Sequence, residues 1–209
     1  MVLERGGFDG HRISVVPYGT SVGEIIPQRA MHATPTIGYV GRLVEEKGIL
    51  DLIQASRYLP AHNLKIVGTG PLLDFLKRRN HLEVIEGVDH AGISDVLRQI
   101  DILVLPSRTT ATWAEQFGRV LIEAMAVGTV CVGSDSGEIP WVIGRPDLIY
   151  REGNVRDLAN ILEGLMSDPF RWQQISANLA SRVRAHFTWD VTSKCLLNVY
   201  ETAIKLFRE

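Results

Sequence analysis

The fold turns on one stretch: the apolar run Ile102-Leu103-Val104-Leu105, then Pro106-Ser107, then Glu115-Gln116-Phe117-Gly118-Arg119-Val120-Leu121-Ile122-Glu123-Ala124-Met125-Ala126. Its apolar start reads as a strand, the following loop ends it, and the amphipathic run beyond reads as a helix. The same unit recurs on both sides. Strands are predicted at 36–41, 64–68, 82–86, 101–105 and 129–133, with helices at 48–58, 71–80, 93–99 and 117–127. Apolar strands alternating with amphipathic helices give an α/β fold, a parallel sheet covered by helices. Right-handed crossovers make the sheet open and doubly wound, with a ligand crevice beyond the C-terminal strand ends.

A last short strand is predicted at 148–150, after which the chain turns helical. Leu158, Ile161, Leu162 and Leu165 recur at helix spacing behind Asn154, a capping residue. Asp168 before Pro169 reads as a cap with proline at the first helical position, and Trp172, Ile175, Leu179 and Val183 then share a face. Thr188 can cap a final helix whose stripe is Cys195, Leu196, Val199, Tyr200 and Ala203; all these stripes are expected to be core packing. Upstream of the alternation, 12–16 looks like a strand before the turn Pro17-Tyr18-Gly19-Thr20, either an added sheet edge or the remnant of another domain.

The 209 residues, 45% hydrophobic and 22% charged, suit an ordinary globular protein with one large domain or one domain with appendages. A net charge of −2 leaves no broad basic surface, so no nucleic-acid partner is expected and any anion site must be local. Cys131 and Cys195 lack metal-ligand spacing, which predicts buried thiols in a reducing compartment. No apolar run approaches the roughly 20 residues that span a bilayer, and the start is no signal peptide. A cytoplasmic location is therefore expected.

Where the first strand ends, Gly41-Arg42-Leu43-Val44-Glu45-Glu46-Lys47-Gly48 brings Arg42 and Lys47 to the crevice mouth. Two cations there suit a diphosphate, arginine as a bidentate fork and lysine as a point charge. Taken alone they fit better a solvated loop whose charges pair with Glu45 and Glu46. Glu115 is expected in the crevice loop, and Glu123 on the next helix, partly buried beside Val120-Leu121-Ile122 and needing a polar partner. Free N–H groups around Gly118 to Val120 open that helix. With the cations they would neutralise a diphosphate without metal, and no Asp-x-Asp is present. Gly68-x-Gly70 follows the second strand and has Leu73 where a dinucleotide fingerprint needs glycine, so NAD is not expected.

In this order the motifs resemble the C-terminal domain of family 4 retaining glycosyltransferases, one half of the two-Rossmann GT-B fold, over roughly residues 12–207. The shared marks are Gly-Arg-x-x-x-x-Lys-Gly at Gly41 to Gly48, Glu-x7-Glu at Glu115 to Glu123, Gly68-Thr69-Gly70-Pro71, and Phe187-Thr188-Trp189. Arg12 to Gly19 looks like the segment leaving the family's N-terminal domain. The resemblance implies a nucleotide-sugar-binding Rossmann-like domain over 35–187, a remnant and linker over 1–34, and a C-terminal helix over 188–209. It further implies that Arg42 and Lys47, after Gly41, hold the donor diphosphate, that Glu115 meets sugar hydroxyls, and that Glu123 accepts from ribose hydroxyls. Amides at Phe117, Gly118 and Arg119 would bind sugar and phosphate oxygens, with Gly87 and Val88 at the base edge. The donor would be a UDP, GDP or ADP sugar, with no separate cofactor. The family's Gly-Gly-x-Pro-Glu is altered here to Gly137-Glu138-Ile139-Pro140-Trp141. An acceptor-binding N-terminal domain, in the same or another chain, would complete the enzyme, and any peripheral membrane contact would run through it. Two other readings stay open: a non-catalytic nucleotide-sugar-binding or regulatory module, and a glycoside hydrolase using Glu115 with Glu123, which the phosphate-style cations disfavour.

Overall fold

Strands β1 (Thr36–Val40), β2 (Asn63–Gly68), β3 (Glu83–Glu86), β4 (Ile102–Leu105), β5 (Val130–Ser134) and β6 (Ile149–Tyr150) form a single sheet. The computed structural model describes residues 7–21, 29–89 and 92–208. The strand order is β3-β2-β1-β4-β5-β6, and every neighbouring pair is parallel. Every residue of β1, β4 and β5 is buried. That pattern needs both faces covered, which explains why these strands read as continuous apolar runs.

Helices α1 (Ile49–Ser56), α2 (Leu73–Lys77), α3 (Ile93–Arg98), α4 (Arg119–Ala126) and α5 (Ile139–Ile143) each follow one strand. Past β6 come α6 (Val155–Met166), α7 (Pro169–His186) and α8 (Trp189–Arg208). Helix α1 packs on α6, and α4 packs on α3 and α7. The expected caps are in place. Asn154 accepts from the Asp157 amide at 3.1 Å, Asp168 from Arg171 at 2.9 Å and Thr188 from Val191 at 3.2 Å. Each such cap contributes about 1 kcal/mol. Trp172 on α7 is fully buried, and its indole N–H donates to the Asp101 carbonyl at 3.1 Å.

The chain runs from β1 to β2 on one side and from β4 to β5 on the other, so the strand order reverses between β1 and β4. In open α/β sheets ligands bind at such a point, beyond the C-terminal strand ends.

Three expectations are corrected. Residues 12–16 are not a strand: a 3-10 turn at Gly10–Arg12 gives way to irregular chain, with Val15 65% exposed. An apolar run becomes a strand only where a ladder partner is available, and none pairs here. The stripe of α8 is not core either. Leu196, Leu197, Tyr200 and Ile204 are exposed, because amphipathic spacing specifies an apolar face without specifying what covers it. Cys195 on that helix is consequently half-buried, while Cys131 on β5 is buried as expected.

Candidate functional site

Two loops meet at the reversal point. The first, after β1, closes in a 3-10 turn, Glu45–Lys47, and Gly48 then starts α1. The second links β4 to α4. They are joined by the Arg108 amide donating to the Glu46 carbonyl at 2.8 Å. Within the first loop the Tyr39 hydroxyl donates to the Arg42 carbonyl at 2.7 Å. Burial foremost, then the nearby Glu115 charge, pushes that hydroxyl above the usual tyrosine range, so it remains a donor. Gly68 and Gly70 lie against this loop: a Cβ on Gly68 would stand 1.8 Å from the Gly41 carbonyl oxygen. Their role is close loop packing, which accounts for both glycines without a dinucleotide.

Lys47 and Glu115 come together across the loops, with Nζ 2.6 Å from Oε2 and side chains 18% and 9% exposed. The Ser107 hydroxyl donates to the same Oε2 at 2.9 Å. Oε1 has no hydrogen-bond partner among the described residues. The solvated-loop alternative for the two cations is thereby removed for Lys47, which pairs with neither Glu45 nor Glu46. Arg42 is exposed and has no ion pair among the described residues.

The backbone of Glu115 is held from the third side. Its carbonyl accepts from the Glu138 amide at 2.9 Å, in the turn that leads into α5. Gly137 makes this turn at φ 55°, and a Cβ there would sit 2.0 Å from the Glu115 carbonyl oxygen. Only glycine meets both demands. The altered Gly137-Glu138 motif thus clasps the carboxylate's backbone, a role that residue type alone did not reveal.

Gly118 turns the chain into α4 with φ 73°. The amides of Phe117, Gly118, Arg119 and Val120 find no acceptor among the described residues. These free donors at a helix start favour an anion. One turn on, Glu123 pairs with Arg119 at 3.4 Å and is 18% exposed, which supplies the polar partner expected of it. Both line a cleft of about 290 Å³ with Ser94, Arg98, Thr20 and Trp189. Lys47 and Glu115 are not part of that lining. Gly87 and Val88 follow β3, two strands from β1, and the Gly87 amide donates to the Gly68 carbonyl at 3.3 Å.

Two further partners escaped sequence reasoning. Arg108 grips the buried Asp51 of α1 through Nε and Nη2, at 2.8 and 2.6 Å, and those hydrogen bonds hold the guanidinium firmly protonated. Trp113 presents its ring to Lys47, whose Nζ is 4.8 Å from the ring centroid. The first could have been suspected from a lone Asp on the apolar face of α1.

A model of the family described as "Glycosyl transferases group 1" matches residues 24–185. The chain belongs to the group 1 glycosyl transferases. The glycogen synthase of Mycobacterium tuberculosis is 30% identical over 178 residues, covering 79% of this chain and 42% of its own length. The sucrose-phosphate synthase of Thermosynechococcus elongatus superposes with TM-score 0.71 at 26% identity, over 83% of this chain and 46% of that one. Anabaena HepE, solved in complex with UDP-glucose, shares the fold with TM-score 0.69 at 22% identity, over 83% and 49%. This group 1 glycosyl transferase chain therefore spans less than half the length of each. Its sheet is the Rossmann-like C-terminal half of the GT-B architecture. No helix among the described residues is long and apolar enough to cross a membrane.

Proposed function

We propose that this chain is the donor-binding half of a retaining glycosyltransferase that takes a hexose from a nucleoside diphosphate sugar. The observation that carries it is the Lys47–Glu115 pair, 2.6 Å apart at the reversal between β1 and β4, beside the unpartnered amides that open α4. A cation and free amides suit a diphosphate, and the spare Oε1 of Glu115 suits a sugar hydroxyl. HepE, a structural neighbour, was solved with UDP-glucose, which supports a donor of this chemistry.

In the reaction the bond between the anomeric carbon and the donor oxygen breaks, and its electrons leave with the diphosphate. Arg42, Lys47 and the α4 amides stabilise that growing charge, while Glu115 orients the sugar and Glu123 the ribose. Donors fixed where charge develops lower the barrier because they need no reorganisation at that moment. An acceptor hydroxyl oxygen then bonds to the anomeric carbon on the face the diphosphate left, and its proton passes to the departing diphosphate oxygen. The acceptor is held by a second domain, in keeping with the share of the relatives that this chain spans.

A thermal-shift panel of UDP, GDP, ADP and their hexose conjugates tests this. A ligand at about 100 times its Kd adds about 2.7 kcal/mol to the native state, a clear rise in Tm. One base should stand out. No shift with any of the panel would sink the proposal. The chain by itself is expected to bind its nucleoside diphosphate but to transfer little sugar, because positioning of acceptor against donor is a large part of group transfer.

A further inference from the structure

The loop between β4 and α4 contains an aromatic residue whose place the core does not explain. Trp113 is half-buried and takes no part in the hydrophobic core, yet it is tightly presented. Its amide donates to the Thr110 hydroxyl at 3.0 Å, and its carbonyl accepts from the Thr110 amide at 2.8 Å. The loop is pinned just before this, where the Thr109 amide donates to Glu152 at 2.7 Å and Arg108 grips Asp51. It is pinned just after by Glu115 itself. The outcome is an indole face 4.8 Å from the Lys47 ammonium, which Glu115 holds on another side.

We infer that Trp113 is a positioning residue for Lys47. A lysine side chain carries several free torsions, and a cation waiting for a phosphate would otherwise sample many of them. The ring quadrupole and the Glu115 carboxylate confine the ammonium from two directions. Lys47 has three donor hydrogens; Glu115 takes one and the ring satisfies another direction without a competing lone pair, so a donor remains for phosphate. A second carboxylate in place of the ring would neutralise the cation outright. The indole orders it and leaves its charge in use. This rests on Lys47 meeting the donor diphosphate.

The test is calorimetric titration of UDP, GDP and ADP into the full chain, using whichever binds best to the unmodified protein. Trp113→Leu keeps bulk and removes the π face, and it is expected to weaken binding about 3- to 10-fold. Trp113→Phe keeps a face and should recover most of the loss. In a Lys47→Ala background, where Arg42 and the α4 amides still bind, Trp113→Leu should cost nothing more. Wild-type affinity in Trp113→Leu, or an equal loss in both backgrounds, overturns the inference while leaving the donor site standing. Failure of Trp113→Phe to rescue does the same. If the unmodified chain binds none of the three nucleotides, the donor proposal falls and takes this with it.

Discussion

Two carboxylates sit at opposite ends of β4, and they are treated in opposite ways. Asp101, just before the strand, is fully buried and saturated. It accepts from Arg29 at 3.1 Å, from the His32 ring at 2.9 Å, and from the His32 and Thr36 amides at 3.3 and 2.8 Å. Glu115, beyond the other end, takes both of its donors on one oxygen and leaves the second open. Asp101 ties residues 29–36 to the base of the sheet. Glu115 is held by its backbone and by Oε2, so that Oε1 is left available. A carboxylate with every lone pair answered inside the protein is a structural fastening, and one with donors withheld is poised for something that arrives.

The largest expected effect comes from the saturated one. Asp101→Ala leaves the Arg29 guanidinium, 10% exposed, without its counter-charge, with only the Ile100 carbonyl and the Thr129 hydroxyl among the described residues to accept from it. Breaking a buried pair from one side costs about 3–5 kcal/mol, which urea unfolding will read directly. A loss under about 1 kcal/mol would erase the contrast between the two ends.

At the open end the effect should fall on ligand binding. Glu115→Ala is expected to weaken the intact donor sugar about tenfold or more and the bare nucleoside diphosphate by clearly less, the smaller loss being that of its hold on Lys47. Glu123→Ala should weaken both alike, since both contain ribose. Titrating each variant with both ligands gives four affinities. Equal losses for the two variants with bare diphosphate would show the roles to be misassigned.

Gly137→Ala sharpens the point that Glu115 is held by its backbone. The added Cβ meets the Glu115 carbonyl at 2.0 Å and must adopt φ 55°, which costs about 1–3 kcal/mol. Donor affinity should drop although residue 137 is not proposed to touch the ligand. Stability lost with donor affinity intact would uncouple the turn from the site.

The smallest effect is one of pH. Burial holds Cys131, Tyr39 and Tyr150 above their ordinary ranges. Unfolded, such groups ionise near pH 8.5 for cysteine and about 10 for tyrosine. The native state keeps protons there that the unfolded state releases. Their contribution is thus complete below about pH 8 and is lost as pH rises, by about 1.4 kcal/mol per unit for each group past its unfolded pKa. Melting curves from pH 7 upward should show this, and Cys131→Ala should flatten the first part of the fall.

Some of this was legible in the sequence and some could not be. The run Ile102–Leu105 announces a strand because a parallel strand covered on both faces must be apolar throughout. Asn154 and Asp168 announce their caps because capping is local. Lys47 and Glu115 were legible as residues but not as a pair, being 68 positions apart. Nor was Gly137 legible as their support, since only the folded turn brings it against Glu115. At 12–16 the pattern predicts a strand that the described residues do not form, and along α8 it predicts an apolar face without saying what covers it. Periodicity describes a surface, and packing is a property of two.

Thr20 bridges Thr188 in parallel, its amide donates to the Phe187 carbonyl at 2.8 Å, and Gly19 lies against Trp189. The polypeptide therefore enters the α/β unit and leaves it through the same doorway, with the whole sheet strung between two residues that touch. A unit whose entry and exit coincide can be grafted into a host loop with short joints, and chain breaks elsewhere on its surface are tolerated best when those ends are linked. Whatever pulls on residue 19 pulls on the first turn of α8 as well, so two covalent connections behave mechanically as one pivot.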